Sequence, residues 1–304
     1  MTQPWKPEHA IDAQTALQLI REQFPALEAR QIRFLGAGWD NTVFVIDESL
    51  IFRFPRREIA FPLLEAEWCF LPKLAPRLPL PIPIPQWLGS PSQAFPWPFI
   101  GYRMLSGSSA CHANLSEEER RKLAEPIGRF LSALHGLPRE LLSGCAIPGD
   151  NESRIDPKQL IPKITKNFEE LIELGLWKGR EQIERALEQA QHLQASMSSA
   201  IVHGDFYVRH LLVDKERHLT GIIDWGDIHF GNPAIDIAIA HSFLPVQAHE
   251  KFRKAYGTIS DTTWELAKLR AIYSSIMLVI FGTHSHDETI AREGMRSLRI
   301  LITG

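Results

Sequence analysis

Residues 202–227 read VHGDFYVRHLLVDKERHLTGIIDWGD and set His203, Asp205, His210, Asp224 and Asp227 among apolar runs fit for buried strand. Carboxylates beside imidazoles at these spacings can hold a divalent cation next to a reacting hydroxyl. Mg2+ prefers oxygen ligands and takes only one or two from protein, the rest coming from water and phosphate. The same residue types also suit a catalytic base, or a transition-metal hydrolase centre.

Such residues act together only if the chain returns them to one place. The runs HLLVD and LTGIID read as a β-hairpin with polar DKERH at its tip, which brings Asp205 and Asp224 to the same end of two paired strands. Upstream, Asp12 caps a helix that ends before Pro25, and RQIRFLG, TVFVID and LIFRF are short strands, the last two joined at Asp47-Glu48-Ser49. Helical spacing follows from Glu58 to Lys73. Five prolines between residues 76 and 85 then predict an extended connector, and FPWPFIGYRMLSG a further strand. Beyond it Ser116 and Glu119 form a capping box for a helix kinked at Pro126, and helical patterns occupy 157–174, 180–198, 233–257 and 261–300. A sheet-rich first third and a helical remainder give an α+β fold with two parts, residues 1–105 and 106–304.

The 304 residues carry a net charge of -3, so the chain has no global basic field for nucleic acid or an anionic membrane. Cys69, Cys111 and Cys145 are odd in number and widely spaced, matching neither a disulfide framework nor a zinc pattern. With no signal-peptide pattern at the N-terminus and no long uninterrupted apolar run, the expectation is a cytoplasmic monomer with neither nucleic-acid nor membrane partners. His135, His241, His284 and His286 have no ligand spacing; HSH at 284–286 reads as a solvated turn.

His-Gly-Asp, a ligand-type residue five positions after that aspartate, and Ile-Asp-Trp-Gly-Asp together resemble the small-molecule branch of the protein-kinase superfamily, the aminoglycoside and macrolide phosphotransferases. His210 stands where most of that family has Asn, which places the resemblance nearest to the branches carrying His. The resemblance implies a two-lobed protein-kinase-like fold, with an antiparallel sheet plus helix first and a mainly helical second lobe. It makes Asp205 the catalytic residue and His210 and Asp224 the Mg2+ ligands. His203 and Asp236 become supports for the catalytic loop, and Asp227 a turn cap or metal assistant.

On the nucleotide side, Gly36 and Gly38 alone read as a hairpin turn, and Arg53 with an acidic partner as a surface pair. The resemblance instead folds the glycine loop over phosphates and sets Arg53 on the α- and β-phosphates. Glu67 becomes its partner, with Glu65 as rival. The hinge runs through residues 101–105, with Arg103 and Leu105 at the nucleotide. The implied activity is ATP- or GTP-dependent phosphorylation of a hydroxyl on a small molecule, an aminoglycoside or macrolide antibiotic, conferring resistance. A metabolite-alcohol kinase, a nucleotide-binding pseudokinase and a metallohydrolase are the alternatives. A polycationic acceptor would need carboxylates, for which Glu169, Glu170, Glu173, Asp287 and Glu288 are candidates.

Overall fold

The computed structural model describes residues 7–38, 40–150, 154–195 and 199–303. The chain forms two compact units: one holds the chain up to Arg77 with Pro81–Leu105 and Leu142–Ala146, the other Leu78–Leu80, Ser106–Leu141 and the remainder from Ile147.

In the first unit, Asp12 accepts a hydrogen bond from the Thr15 amide (2.8 Å) and starts α1 (Ala13–Gln23). Strands β1 (Ile32–Ala37), β2 (Asn41–Ile46) and β3 (Leu50–Pro55) precede helix α2 (Phe61–Leu74), with β4 (Pro85–Gly89) and β5 (Phe99–Arg103) after it. The sheet is antiparallel in the order β1-β2-β3-β5-β4. The β2–β3 turn uses Asp47 and Glu48 at φ 47° and 53°, the left-handed pair that a tight hairpin demands. Phe44, Phe52, Phe54, Phe95 and Phe99 fill the space between sheet and α1. The proline-rich stretch departs from expectation. Its last residues are not connector but edge strand β4, where Pro85 is tolerated because an edge position need not donate to a ladder.

The cysteines also correct the sequence reading, since Cys69 of α2 is disulfide-bonded to Cys145. The 76 residues between them hide a pairing made only when Leu142–Ala146 packs with the first unit. Cys111 is free and buried, and burial pushes its thiol up to about 12.

The second unit begins with β6 (Ser108–Ser109), α3 (Glu117–His135), α4 (Pro157–Glu173) and α5 (Glu181–Ala190). The predicted helix over 180–198 thus stops at Ala190, and its residues 196–198 lie outside those described. Short strands β7 (Ala200–Val202), β8 (Leu211–Val213), β9 (Leu219–Ile222) and β10 (His229–Gly231) carry the motif region. β8 and β9 form the expected hairpin, and β7 pairs with β10. Each of the last two predicted helices is in fact a pair. α6 (Ala234–Ser242) and α7 (His249–Tyr256) part around Pro245, while α8 (Asp261–His284) and α9 (Glu288–Thr303) part at a turn where His286 takes φ 56°. α8 is long and apolar enough to cross a bilayer by composition, yet Leu269, Ile272, Ile276 and Val279 pack in a core with α4, α5 and α9.

Candidate active site

The site is built on the loop between β7 and β8. His203 is wholly buried, and burial lowers its imidazole pKa to about 4, so the ring is neutral. Its hydrogen bonds then assign one tautomer: Nε2 donates to the Ile223 carbonyl (3.1 Å) and Nδ1 accepts the Asp205 amide (3.3 Å). Trp225, fully buried, lies 4.6 Å from the ring centroid, and Phe206 stacks on Phe130 of α3. Gly204 takes φ 84°, and a Cβ there would stand 2.2 Å from the Asp227 carbonyl oxygen and 2.9 Å from His229 Nδ1. Only glycine fits both constraints.

Asp236, in the first turn of α6 and fully buried, holds this loop from below. Its Oδ2 accepts the His203 amide (2.7 Å) and its Oδ1 the Gly204 amide (2.9 Å). His135 at the end of α3 reaches the same Oδ2 through Nε2 (3.0 Å), and its Nδ1 lies 2.9 Å from the Tyr256 hydroxyl on α7. Burial raises the Asp236 pKa, but the hydrogen bonds from His135 and from the His203 amide outweigh it, so the carboxyl sits below its ordinary value and stays ionised. Burial also keeps the Tyr256 phenol protonated, fit to donate to His135. An aspartate on one helix thus ties two others to the β7–β8 loop.

Above this brace stand the residues that could do chemistry. Asp205 presents a carboxylate 37% exposed, pushed up to about 6 by burial, with His210 and Arg270 opposing and Asp227 and Asp224 reinforcing the rise. His210, nearly buried, donates from Nδ1 to the Asp205 carbonyl (2.8 Å), which leaves Nε2 facing Asp224 Oδ2 at 3.1 Å. Burial disfavours its charged form, but Asp224 and Asp205 prevail and hold it up to about 9. His210 must therefore shed a proton before it can ligate a metal, a requirement the sequence did not reveal. Asp224, half exposed, takes φ 65°, a conformation costing a non-glycine residue about 1–3 kcal/mol and found at functional sites.

One carboxylate and one imidazole suit a cation whose other ligands are phosphate and water. No group of three or more His, Cys, Asp or Glu among the described residues could hold a metal by itself. The donor set fits Mg2+ brought with a nucleotide better than a protein-built transition-metal cage. The Asp227 carboxylate binds Arg154 (2.7 Å), an ion pair that joins the motif to the segment before α4. His229 Nδ1 donates to the Asp227 backbone oxygen (2.8 Å).

In the first unit Arg53 of β3 and Glu67 of α2 form a buried ion pair at 2.5 Å, which selects Glu67 over the exposed Glu65. This is no surface pair. Gly36 lies within β1 opposite Val43 rather than in the loop, while the Gly38 amide donates to the Asn41 carbonyl (2.9 Å). Neither glycine has an atom within 4 Å of where a Cβ would stand, so both open outward. Arg103 ends β5 opposite Leu50 and is exposed; Leu105 is half-buried at the end of the Pro81–Leu105 segment. The sequence reading did not single out His135, Tyr256, Arg154 or Arg270. Of these, His135 was named only as lacking ligand spacing.

Residues 31–272 match the model of a family described as the phosphotransferase enzyme family. The chain is 34% identical over 175 residues to viomycin phosphotransferase of Streptomyces vinaceus, a match covering 52% of this chain and 58% of that protein. The chain thus spans little more than half the length of that relative. Among solved structures it is similar to the GDP complex of wild-type aminoglycoside 2'-phosphotransferase-IIIa, with a TM-score of 0.68, 21% identity and coverage of 96% and 99% of the two chains. It is also similar to a macrolide 2'-phosphotransferase from Brachybacterium faecium, with a TM-score of 0.59, 18% identity and coverage of 94% and 97%. The fold is therefore the protein-kinase-like one of these enzymes, with an antiparallel sheet first and helices after.

Proposed function

Because the chain belongs to the phosphotransferase enzyme family, we propose that it transfers the γ-phosphoryl group of ATP or GTP to a hydroxyl of a small molecule. The observation that carries this reading is the Asp205, His210 and Asp224 constellation, in which an exposed carboxylate stands beside a 3.1 Å imidazole–carboxylate pair on a braced loop. Asp205 accepts or orients the proton of the acceptor hydroxyl. Asp224 and His210 would hold Mg2+, which when bound neutralises charge developing on the phosphates. Arg53, fixed by Glu67, contacts nucleotide phosphates as a planar, permanently charged donor, with Gly36 and Gly38 leaving room for the nucleotide and Arg103 and Leu105 at its base. His203 and Asp236 position the loop. Catalysis here is chiefly positioning and electrostatics, which so few side chains can supply.

The acceptor classes in the names of the relatives support an antibiotic, and a metabolite alcohol is the second reading. The test is a screen of aminoglycosides, macrolides and metabolite alcohols with each nucleotide, reading phosphorylated product by mass. Asp205→Ala should still bind nucleotide but lose roughly 100-fold or more in turnover. Near-normal turnover in that variant would remove Asp205 from its role.

A further inference from the structure

The turn between β1 and β2, which the proposed reading sets over the nucleotide phosphates, is held by the residues that follow β3. Asn41 pairs with Pro55 at the end of the β2–β3 ladder, so the chain leaves the sheet directly beside the turn. The Arg56 amide donates to the Asp40 carbonyl (2.7 Å), and Arg56 Nη1 donates to the Gly38 carbonyl. Arg57 Nη2 meets Asp40 Oδ1 at 2.5 Å, with both side chains partly exposed. Arg56 is fixed from its other side as well: its carbonyl accepts the amides of Glu8 (2.9 Å) and His9 (3.4 Å), and the Glu8 carboxylate accepts the Glu58 amide (2.9 Å). All of these residues belong to the first unit.

Neither Gly36 nor Gly38 takes a left-handed backbone, so the course of the turn does not come from the conformational freedom of glycine. Two arginines supply it. They also change its charge. Asp40 is the only acidic residue between Ile32 and Ile46. Left unpaired, its carboxylate would repel a phosphate group laid on the turn, and like charges set together cost affinity. Carbonyl oxygens facing the same group would add to that repulsion. Arg57 cancels the carboxylate, and Arg56 occupies two of the carbonyls. A partly exposed ion pair contributes little to the stability of the fold. The use of this one lies in what the turn can bind.

We propose that Arg57, by cancelling Asp40, sets the affinity of the β1–β2 turn for the phosphates of the nucleotide, with Arg56 holding the turn's carbonyls aside. Both act as positioning residues. This assignment rests on the nucleotide half of the phosphotransferase reading and deepens it.

The full chain, Arg57→Gln, Arg57→Lys, Asp40→Asn and the Arg57→Gln/Asp40→Asn pair are titrated with Mg-ATP and Mg-GTP by calorimetry, and with adenosine and guanosine by ligand-detected NMR. Arg57→Gln should weaken triphosphate binding about tenfold or more and leave nucleoside binding within about twofold, because a stranded Asp40 repels phosphate and not the base. Arg57→Lys keeps the charge and should stay within about threefold of the unsubstituted chain, as should Asp40→Asn. Adding Asp40→Asn to Arg57→Gln should restore triphosphate affinity to within about threefold. A double variant as weak as Arg57→Gln would overturn the assignment, as would an equal loss for nucleoside and triphosphate. Failure of Arg57→Gln to fold, unrelieved by Asp40→Asn, would give the pair to the fold instead and overturn it too. If a triphosphate binds the unsubstituted chain and Arg57→Gln binds it equally well, only the role of Arg57 falls. If neither triphosphate binds the unsubstituted chain, the nucleotide reading falls and takes that role with it.

Discussion

Substituting Asp236 measures how far the β7–β8 loop depends on one buried carboxylate. In Asp236→Ala the amides of His203 and Gly204 and the Nε2–H of His135 all lose their acceptor in a place closed to solvent. Each buried donor left unsatisfied costs about 1–3 kcal/mol, and the amides are next to each other and so are partly relieved together, which sets the loss at about 3–5 kcal/mol. For a unit of this size that is a fall in Tm of roughly 6–20 °C. Asp236→Asn separates charge from shape. Its carbonyl can keep the Gly204 amide, but its NH2 faces the His203 amide at the former Oδ2, while His135 can change tautomer, accept from that NH2 and donate to the Tyr256 oxygen. One clash remains instead of three lost bonds, so the loss should be about 1–3 kcal/mol, with kcat lowered more than nucleotide affinity. Scanning fluorimetry gives Tm, and steady-state kinetics with the identified acceptor give the split. Equal destabilisation by Ala and Asn, or loss of less than about 1 kcal/mol with Ala, would refute the account of Asp236 as a three-donor acceptor.

Glu67→Ala strands the Arg53 guanidinium in a buried position and should destabilise by about 3–5 kcal/mol, with weaker nucleotide binding by calorimetry; a neutral effect would deny the pair any role. His241, buried with His249 and Lys268 nearby, has its pKa lowered to about 3, first by burial. The unfolded chain therefore takes up the proton near pH 6.5 and the folded one does not, so this share of stability is complete above that pH and shrinks as pH falls. Between pH 6.5 and 5 it amounts to about 2 kcal/mol, and His241→Gln should flatten the difference in Tm between pH 7 and 5 accordingly. Thiol titration in denaturant should find one reactive cysteine before reduction and three after; three before reduction would contradict the Cys69–Cys145 bond.

Legibility in the sequence followed distance along the chain. Asp205, His210 and Asp224 stand within 20 residues, bound by a hairpin whose alternation and polar tip are local signals, and both caps tested, at Asp12 and Ser116, lie where local chemistry puts them. His135 meets Asp236 across 101 positions, and Arg154 meets Asp227 across 73. No local pattern encodes such partners. The helix breaks near residues 245 and 285 were missed because apolar periodicity continues through both, although HSH already read as a turn.

The excursion of Leu142–Ala146 onto the first unit also has a consequence for synthesis. Cys69 leaves the ribosome 76 residues ahead of the cysteine it bonds, which at 5–20 residues per second is a delay of roughly 4–15 s. During that interval β1 through β5 can pair, but α2, with Glu67 two residues from the waiting thiol, has no covalent anchor. The first unit is therefore completed only after all of α3 has been made, and a nascent chain stopped at residue 105 would hold the sheet without its clasp.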